Sequence, residues 1–382
     1  MILPSMKEGL ELSNTEAGAL ATGNFIGYLS LAMIGGLLAS KFSPRRVISI
    51  SLFVVGITVL LTGFSGGFYM ALLWRTITGM GSGGSNVPAM GLLSSWFSPR
   101  RRGLATGIGV AGSSIALIVT GALVPRILRI AGPGGWRQCW MILGLFIIAF
   151  ALFSWFTLRN RPGEKGLKPV GEKDDKDNDA EKSGAVLKPE PTLGHVYKSL
   201  TVWHLALIYA TFGFSYIIFC TFFAEYLQEE MGYTASGAGR LWQMVGWISI
   251  FCGLIWGWVS DMIGRKFALA IVSFLQGLSY IIFSVSNGLA GHLTSAIIFG
   301  VTAWSIPAIM AATCGDRLGP RLASAALGFI TLFFGIAQAL GPMIAGRIGD
   351  VKETLAPAFI LAGAVAWCGA VLSLFLSRQR ET

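Results

Sequence analysis

Charge is what this sequence has least of: Asp, Glu, Lys and Arg make up 13% of its 382 residues, about half of what a water-solvated surface uses. That shortage excludes an ordinary soluble domain. Histidine is almost absent, and His195, His204 and His292 stand apart with no ligand spacing, so they define no metal centre. The five cysteines, Cys139, Cys220, Cys252, Cys314 and Cys368, lie singly in apolar stretches and read as core packing rather than a disulfide framework. No nucleophile stands beside a base in a defensible pattern, and Gly79 to Gly84 resembles a phosphate loop in composition only, since it follows no strand and sits inside an apolar span. An enzyme is therefore not expected, nor a cofactor. Carboxylates are also missing from the middle of the apolar spans, which leaves no visible buried acid for proton coupling.

What is abundant points to a membrane. Hydrophobic residues reach 53%, and fifty glycines suit helices that pack backbone to backbone in lipid. The net charge of +10 falls in short clusters between apolar spans, so the basic balance reads as membrane orientation and not as a nucleic-acid surface. Apolar spans lie near 15–39, 46–65, 68–96, 103–129 and 137–158, then near 201–227, 235–260, 266–286, 291–314, 322–347 and 355–377. Between the two groups, 159–200 is charged and Pro-containing, a largely disordered linker. The expected domains are thus 1–158, the linker 159–200 and a six-helix bundle at 201–382. Lys41, Arg45, Arg46, the linker, Arg265, Lys266 and Arg378 fall on alternate loops, which places that side and the C-terminus in the cytoplasm, against single cations such as Arg129 and Arg347 opposite.

An internal repeat organises the chain. Gly36 and Gly257 stand 221 residues apart, and the same offset pairs Ser43 with Gly264, Gly18 with Gly239, Gly67 with Gly288 and Arg100 with Arg321. Two halves of one plan in the same orientation follow. The first helix of the second half maps to before residue 6, so eleven transmembrane helices are expected of twelve, the first being missing.

Two motifs carry a family likeness. Gly257, Asp261, Gly264, Arg265 and Lys266 match G-x-x-x-D-x-x-G-R-K, while the first copy, with Gly36, Lys41, Arg45 and Arg46, has Ser40, Ser43 and Pro44 at signature positions. Arg75, Gly79 and Gly81 match R-x-x-x-G-x-G. These residues resemble the major facilitator superfamily of secondary transporters. The likeness implies an all-α, two-bundle membrane fold, solute transport by alternating access, and a gating role for the two loop motifs. Gly341-Pro342 with Gly335, Gln338 and Asp350 is similar to monocarboxylate and oxalate–formate-type porters.

Several residues are candidates for the solute path. Arg75 lies about two turns inside its span, where a guanidinium needs water, substrate or a partner; it lines a cavity, or else snorkels or braces a neighbour. Arg75, Gly79, Ser82 and Asn86 share one helical face and suggest a cavity wall. Arg240 is an anion contact by resemblance, or an interfacial anchor. In the family the first helix of each half lines the cavity, which makes Tyr209 and Tyr216, on an aromatic face with Phe212, Phe219 and Phe223, either substrate-facing or packed. Trp304 and Gln338 are weighed the same way, and Pro307 should kink its helix and free carbonyls, which suits a gate. Glu225, Glu229 and Glu230 read as a solvated rim, or as a proton-coupling group. Gly79, Gly81, Gly112, Gly341 and Pro342 are expected at helix contacts. Asp261 should be compensated by Arg265 or an adjacent helix N-terminus. The expected function is secondary transport of a small organic anion such as a monocarboxylate, by a monomer in a bacterial inner membrane, with a proton or counter-substrate coupled. Efflux of amphipathic, drug-like solutes is the alternative, and a non-transporting sensor or truncated relic another.

Overall fold

The computed structural model describes residues 1–98, 102–171 and 198–376, without the side chains at 33, 36, 37, 40, 94, 102–108, 110, 133 and 318–325. Gly36, Ser40, Arg100, Arg321 and Arg378 of the sequence reading lie outside these descriptions. Among the described residues thirteen α-helices are formed: α1 (Leu3–Leu10), α2 (Asn14–Phe42), α3 (Pro44–Thr62), α4 (Phe68–Trp96), α5 (Arg102–Ala131), α6 (Gly135–Thr157), α7 (Leu200–Glu225), α8 (Ala235–Ser249), α9 (Cys252–Ile263), α10 (Arg265–Val285), α11 (Leu289–Thr302), α12 (Ser305–Lys352) and α13 (Ala356–Leu374). Among the described residues, eight helical spans are long and apolar enough to cross a membrane, or nine if α8 and α9, bent by 45°, count as one. At 48 residues and about 1.5 Å per residue, α12 outruns one crossing, and it divides between the spans Leu289–Arg317 and Ala326–Lys352.

The repeat is written into the helix ends. The 221-residue offset carries the first residues of α2, α3, α4 and α6 onto those of α8, α10, α11 and α13. It carries their caps as well: Ser13 accepts the Glu16 N–H ahead of α2, and Thr234 accepts the Gly237 N–H ahead of α8. Gly67 and Gly288, both extended, precede α4 and α11. Each half therefore reads the same start signals at the same places.

Small residues set the contacts. A Cβ on Gly79 would lie 1.8 Å from the Asn24 carbonyl oxygen of α2, and one on Gly81 would lie 2.8 Å from that of Ser51 on α3. At Gly79 the face is thus filled by α2, because a glycine notch admits a neighbouring backbone before it admits solvent. Gly341 packs against Phe214 and Ile217 of α7. Gly112, read as a contact glycine, and Gly257 of the second loop motif have no atom within 4 Å of where a side chain would sit.

The halves meet along two related seams. Gly18 of α2 abuts the Pro342 carbonyl of α12, and Gly239 of α8 abuts the Gly121 carbonyl of α5. Gly18 maps onto Gly239 and Gly121 onto Pro342 by the same offset, so the seams are related by a pseudo-two-fold axis. The α2–α12 seam runs from Asn14–Gly346 to Leu29–Gly335, starting at the end of the molecule that carries Lys7 and Glu229.

The second half holds most of the packed core, with Phe219, Phe223, Phe283, Phe299 and Phe359 buried together. The beginning of the expected linker is ordered rather than free. Ser98 N–H donates to the Val170 carbonyl at 3.1 Å, Val170 N–H to that of Trp96 at 2.9 Å, and Trp96 Nε1 to that of Arg159 at 2.9 Å. These bonds satisfy backbone groups that α4 leaves open at its end. Residues 172–197 lie outside the described residues.

Candidate functional site

Arg75 sits in the second turn of α4, half-buried, with its guanidinium 4.9 Å from the ring centre of Trp140 on α6. Its backbone carbonyl accepts the Asn24 side-chain amide at 2.9 Å, which fixes α4 on α2. Among the described residues no carboxylate pairs with the guanidinium. It opens instead on a cavity of about 320 Å³ that draws on both halves: Ala17 and Ala21 of α2, Thr120 of α5, Trp140 of α6, Thr221 of α7 and Trp242 of α8. Besides Arg75, the polar side chains in the lining are the hydroxyls of Thr120 and Thr221 and the two indole N–H groups. A cation held over an aromatic face, with few other polar groups around it, attracts an anion.

Beyond this cavity, toward the N-terminal end of α7, the stripe of aromatics on that helix divides. Tyr209, Phe212 and Tyr216 stack on Phe334 of α12 with ring centres 4.5–6.0 Å apart, while Phe219 and Phe223 turn into the core of the second half. Gln338 Nε2 donates to the Tyr216 hydroxyl, and Trp304 meets the Tyr216 ring edge-on at 6.3 Å. Tyr209, Tyr216, Trp304 and Gln338 are thus brought into one group. Tyr216 stands five residues, about 7 Å along the helix, from Thr221 of the Arg75 cavity.

Two interrupted helices support this group. The chain breaks between α11 and α12 at Ala303–Trp304, where Pro307 can neither donate to the Ala303 carbonyl nor avoid crowding it. The break between α8 and α9 at Ile250–Phe251 has no proline to announce it. The two breaks touch, since Trp304 N–H lies 3.3 Å from Cys252 Sγ. Trp304 Nε1 then donates to Ser114 Oγ of α5 at 3.1 Å, and Ser114 shares a 2.8 Å hydrogen bond with Ser249. A polar chain therefore crosses from one half to the other beside the aromatic stack.

Other candidates lie elsewhere. Arg240 is exposed, on the side of α8 away from Trp242, and Asn86 is exposed on α4, so neither joins the Arg75 cavity. In the second loop motif Arg265 pairs with Asp261 at 2.5 Å and with Asp316 of α12 at 2.8 Å, while Gly264 holds φ at 89° and Lys266 lies over the Phe267 ring. The first copy makes another arrangement, with Lys41, Arg45 and Arg46 around a pocket described below.

Three features escaped sequence reasoning. Asp350 of α12 accepts the Asn14 and Thr15 backbone N–H groups, both at 2.8 Å, and the Thr15 hydroxyl, capping α2 across the seam. Glu225 is not a solvated rim residue: it is 1% exposed and bonded to Lys7 at 2.9 Å, with Lys7 also 2.7 Å from Glu229. Burial lowers the Lys7 pKa, but the two carboxylates outweigh it and hold the ammonium above its ordinary range. Glu230 caps α13 through the Leu355 N–H at 2.7 Å. Each partner lies more than a hundred residues away, beyond any local pattern.

Two repeated helical halves, joined at small-residue seams with a cation-bearing cavity between them, are the architecture of a multi-pass integral membrane protein. The sequence model of the Major Facilitator Superfamily matches residues 1–342, and the chain belongs to that superfamily of membrane transporters. It is similar to a probable sulfoacetate transporter of Cupriavidus necator, 21% identical over 98% of this chain and 88% of the relative. It is also similar to a hexuronate transporter of Bacillus subtilis, 25% identical over 95% and 86%. Among solved structures, a bacterial homolog of the human lysosomal transporter Spinster, inward-facing and unoccupied, has the same fold, with a TM-score of 0.71, 18% identity and coverage of 98% and 90%. The protein is a membrane transporter of small organic solutes, not an enzyme.

Proposed function

We propose that the solute is a small organic monoanion with an apolar body, a monocarboxylate by preference, bound at Arg75 and carried by alternating access. The observation that carries this reading is the unpaired Arg75 guanidinium over Trp140 in a cavity of about 320 Å³. An isolated cation at that depth costs several kcal/mol, which an incoming carboxylate offsets. The paucity of hydroxyl and amide groups selects against a polyol, whose hydroxyls would lose water without replacement. Sulfoacetate and hexuronate, named for relatives, are organic anions too, but a hexuronate carries hydroxyls that this cavity does not match.

Residues 1–158 and 201–382 act as the rocking bundles. Contacts from Lys7–Glu225 through Thr22–Ala339 to Leu29–Gly335 close the Lys7 side, and the aromatic group with Gln338 lies on the path from the cavity toward the basic-cluster side. That side is cytoplasmic by the distribution of cations, so this state opens inward. Uptake of short monocarboxylates into proteoliposomes tests the reading. Loss of accumulation in a folded Arg75→Ala variant supports it. Unchanged uptake sinks it, and transport of amphipathic cations that ignores Arg75 would favour drug efflux through the aromatic group.

A further inference from the structure

A second cavity is separate from the Arg75 site. It encloses about 990 Å³ at the basic ends of α2 and α3, against α4 and the ordered start of the linker. Four cations line it, Lys41, Arg45, Arg46 and Arg161, against one carboxylate, Glu164. That carboxylate is held by the Asn160 amide at 3.0 Å, and among the described residues none of the four cations forms an ion pair. Arg45 is nonetheless fixed: its Nε donates to the Trp155 carbonyl at 2.9 Å, its guanidinium lies 5.7 Å from the Trp155 ring centre, and its backbone N–H donates to Asn160 Oδ1 at 3.0 Å. The first turn of α3 opens on the same space with Pro44 at its start and no side-chain cap. The opposite wall is apolar, with Ala39, Phe42, Val87 and Pro88 reaching back along α2 and α4.

We propose that this pocket binds the headgroup of an anionic phospholipid, with Lys41, Arg45, Arg46 and Arg161 around the phosphate and the acyl chains along Phe42, Val87 and Pro88. A soluble anion would use the cations but leave the apolar wall wet, whereas a membrane lipid matches both, at the depth where basic clusters stop a chain at the bilayer surface. Phe42 and Val87 are 50% and 37% exposed, as an acyl-chain surface requires. Because the pocket touches the turn between α2 and α3 and the inner end of α4, an occupant ties these to the linker and favours the arrangement seen here.

The test uses the purified full chain in a neutral detergent, titrated separately with phosphatidylglycerol, phosphatidylcholine and inorganic phosphate, and read by native mass spectrometry and by unfolding temperature. Phosphatidylglycerol is expected to remain bound and to raise the unfolding temperature, with phosphatidylcholine and phosphate doing neither. The Lys41→Gln/Arg46→Gln variant should lose about tenfold or more in phosphatidylglycerol affinity, each cation at an anionic lipid contributing roughly fivefold. Arg161→Gln, outside any helix, gives a second reading of several-fold loss should the double variant unfold. Equal binding of the two lipids, displacement of phosphatidylglycerol by equimolar phosphate, or unchanged affinity in folded variants would overturn the proposal. None of these readouts depends on the Arg75 cavity.

Discussion

Ser43 and Gly264, 221 residues apart, hold the same backbone conformation, φ 80° and ψ 139° in one and φ 89° and ψ 145° in the other. Each joins two consecutive helices with no intervening loop, α2 to α3 and α9 to α10. The loop geometry is thus retained in both halves although the residue is glycine in only one. Serine at positive φ is a strained solution, since its Cβ crowds the adjacent carbonyl, and the strain is borne by the packing of α2 and α3.

Ser43→Gly should therefore be tolerated or mildly stabilising, and Gly264→Ala should cost about 1–3 kcal/mol. No atom lies within 4 Å of a Cβ placed on Gly264, so the cost is conformational rather than a clash. Thermal unfolding in detergent measures both. An unchanged midpoint in Gly264→Ala would show that the turn relaxes freely.

This pair also indicates how far the sequence could be read. The repeat was legible because glycines and small polar residues recur at one offset, and a kink at Pro307 was legible, although the chain breaks fully at Ala303–Trp304. Arg75 was legible because a cation inside an apolar span is conspicuous. Its aromatic partner Trp140 was not, because its facing depends on how α6 packs, which no local period encodes. The bend after Ser249 has no proline, and its polar neighbours come from α5 and α12. Glu225 read as a rim acid and Asp350 only as part of a family likeness, and only folding brings Lys7 to the first and a helix N-terminus to the second.

The paired seams predict a conformational shift. A Cβ on Gly18 would lie 2.2 Å from the Pro342 oxygen, and one on Gly239 would lie 2.5 Å from the Gly121 oxygen. Neither backbone can yield without separating the halves, so Gly18→Ala and Gly239→Ala should each cost about 1–3 kcal/mol in this state. Spin labels on α1 and on the loop at Gly232 should report a longer distance in either variant. An unaltered distance would mean that the seams slide and do not hold the halves.

Asp350 closes the same side by another means. Its carboxylate accepts two backbone N–H groups and a hydroxyl at the positive end of α2, whereas Arg129, its counterpart by the repeat, is exposed on α5. Among the described residues, only one seam has this clamp. Asp350→Asn turns one acceptor into a donor facing N–H groups and should weaken the closed side by about 1–3 kcal/mol. Cross-linking between cysteines placed at Thr15 and Val351 should slow in the added presence of Asp350→Asn; equal rates would remove the clamp from the closing mechanism.

The Lys7 bridge gives the most demanding test, because its members are unequal. Glu225 is buried in α7 with one oxygen on Lys7 and the other without a partner, while Glu229 stays 40% exposed. Lys7→Met leaves the buried Glu225 carboxyl without its ammonium partner and should destabilise by about 1–3 kcal/mol. Glu225→Gln should cost less, since Lys7 keeps Glu229. The double variant Lys7→Met/Glu225→Gln should recover part of the loss, giving a coupling free energy of at least about 1 kcal/mol in a double-mutant cycle. The sign of the pH dependence follows from Lys7, whose folded pKa is raised above its unfolded value of 10.5. Its contribution is fully present below that value and is lost as pH rises through the folded pKa, so neutral pH leaves the bridge intact from the lysine side. Additive single losses, or equal losses in Lys7→Met and Glu225→Gln, would place the bridge among surface pairs that contribute nothing.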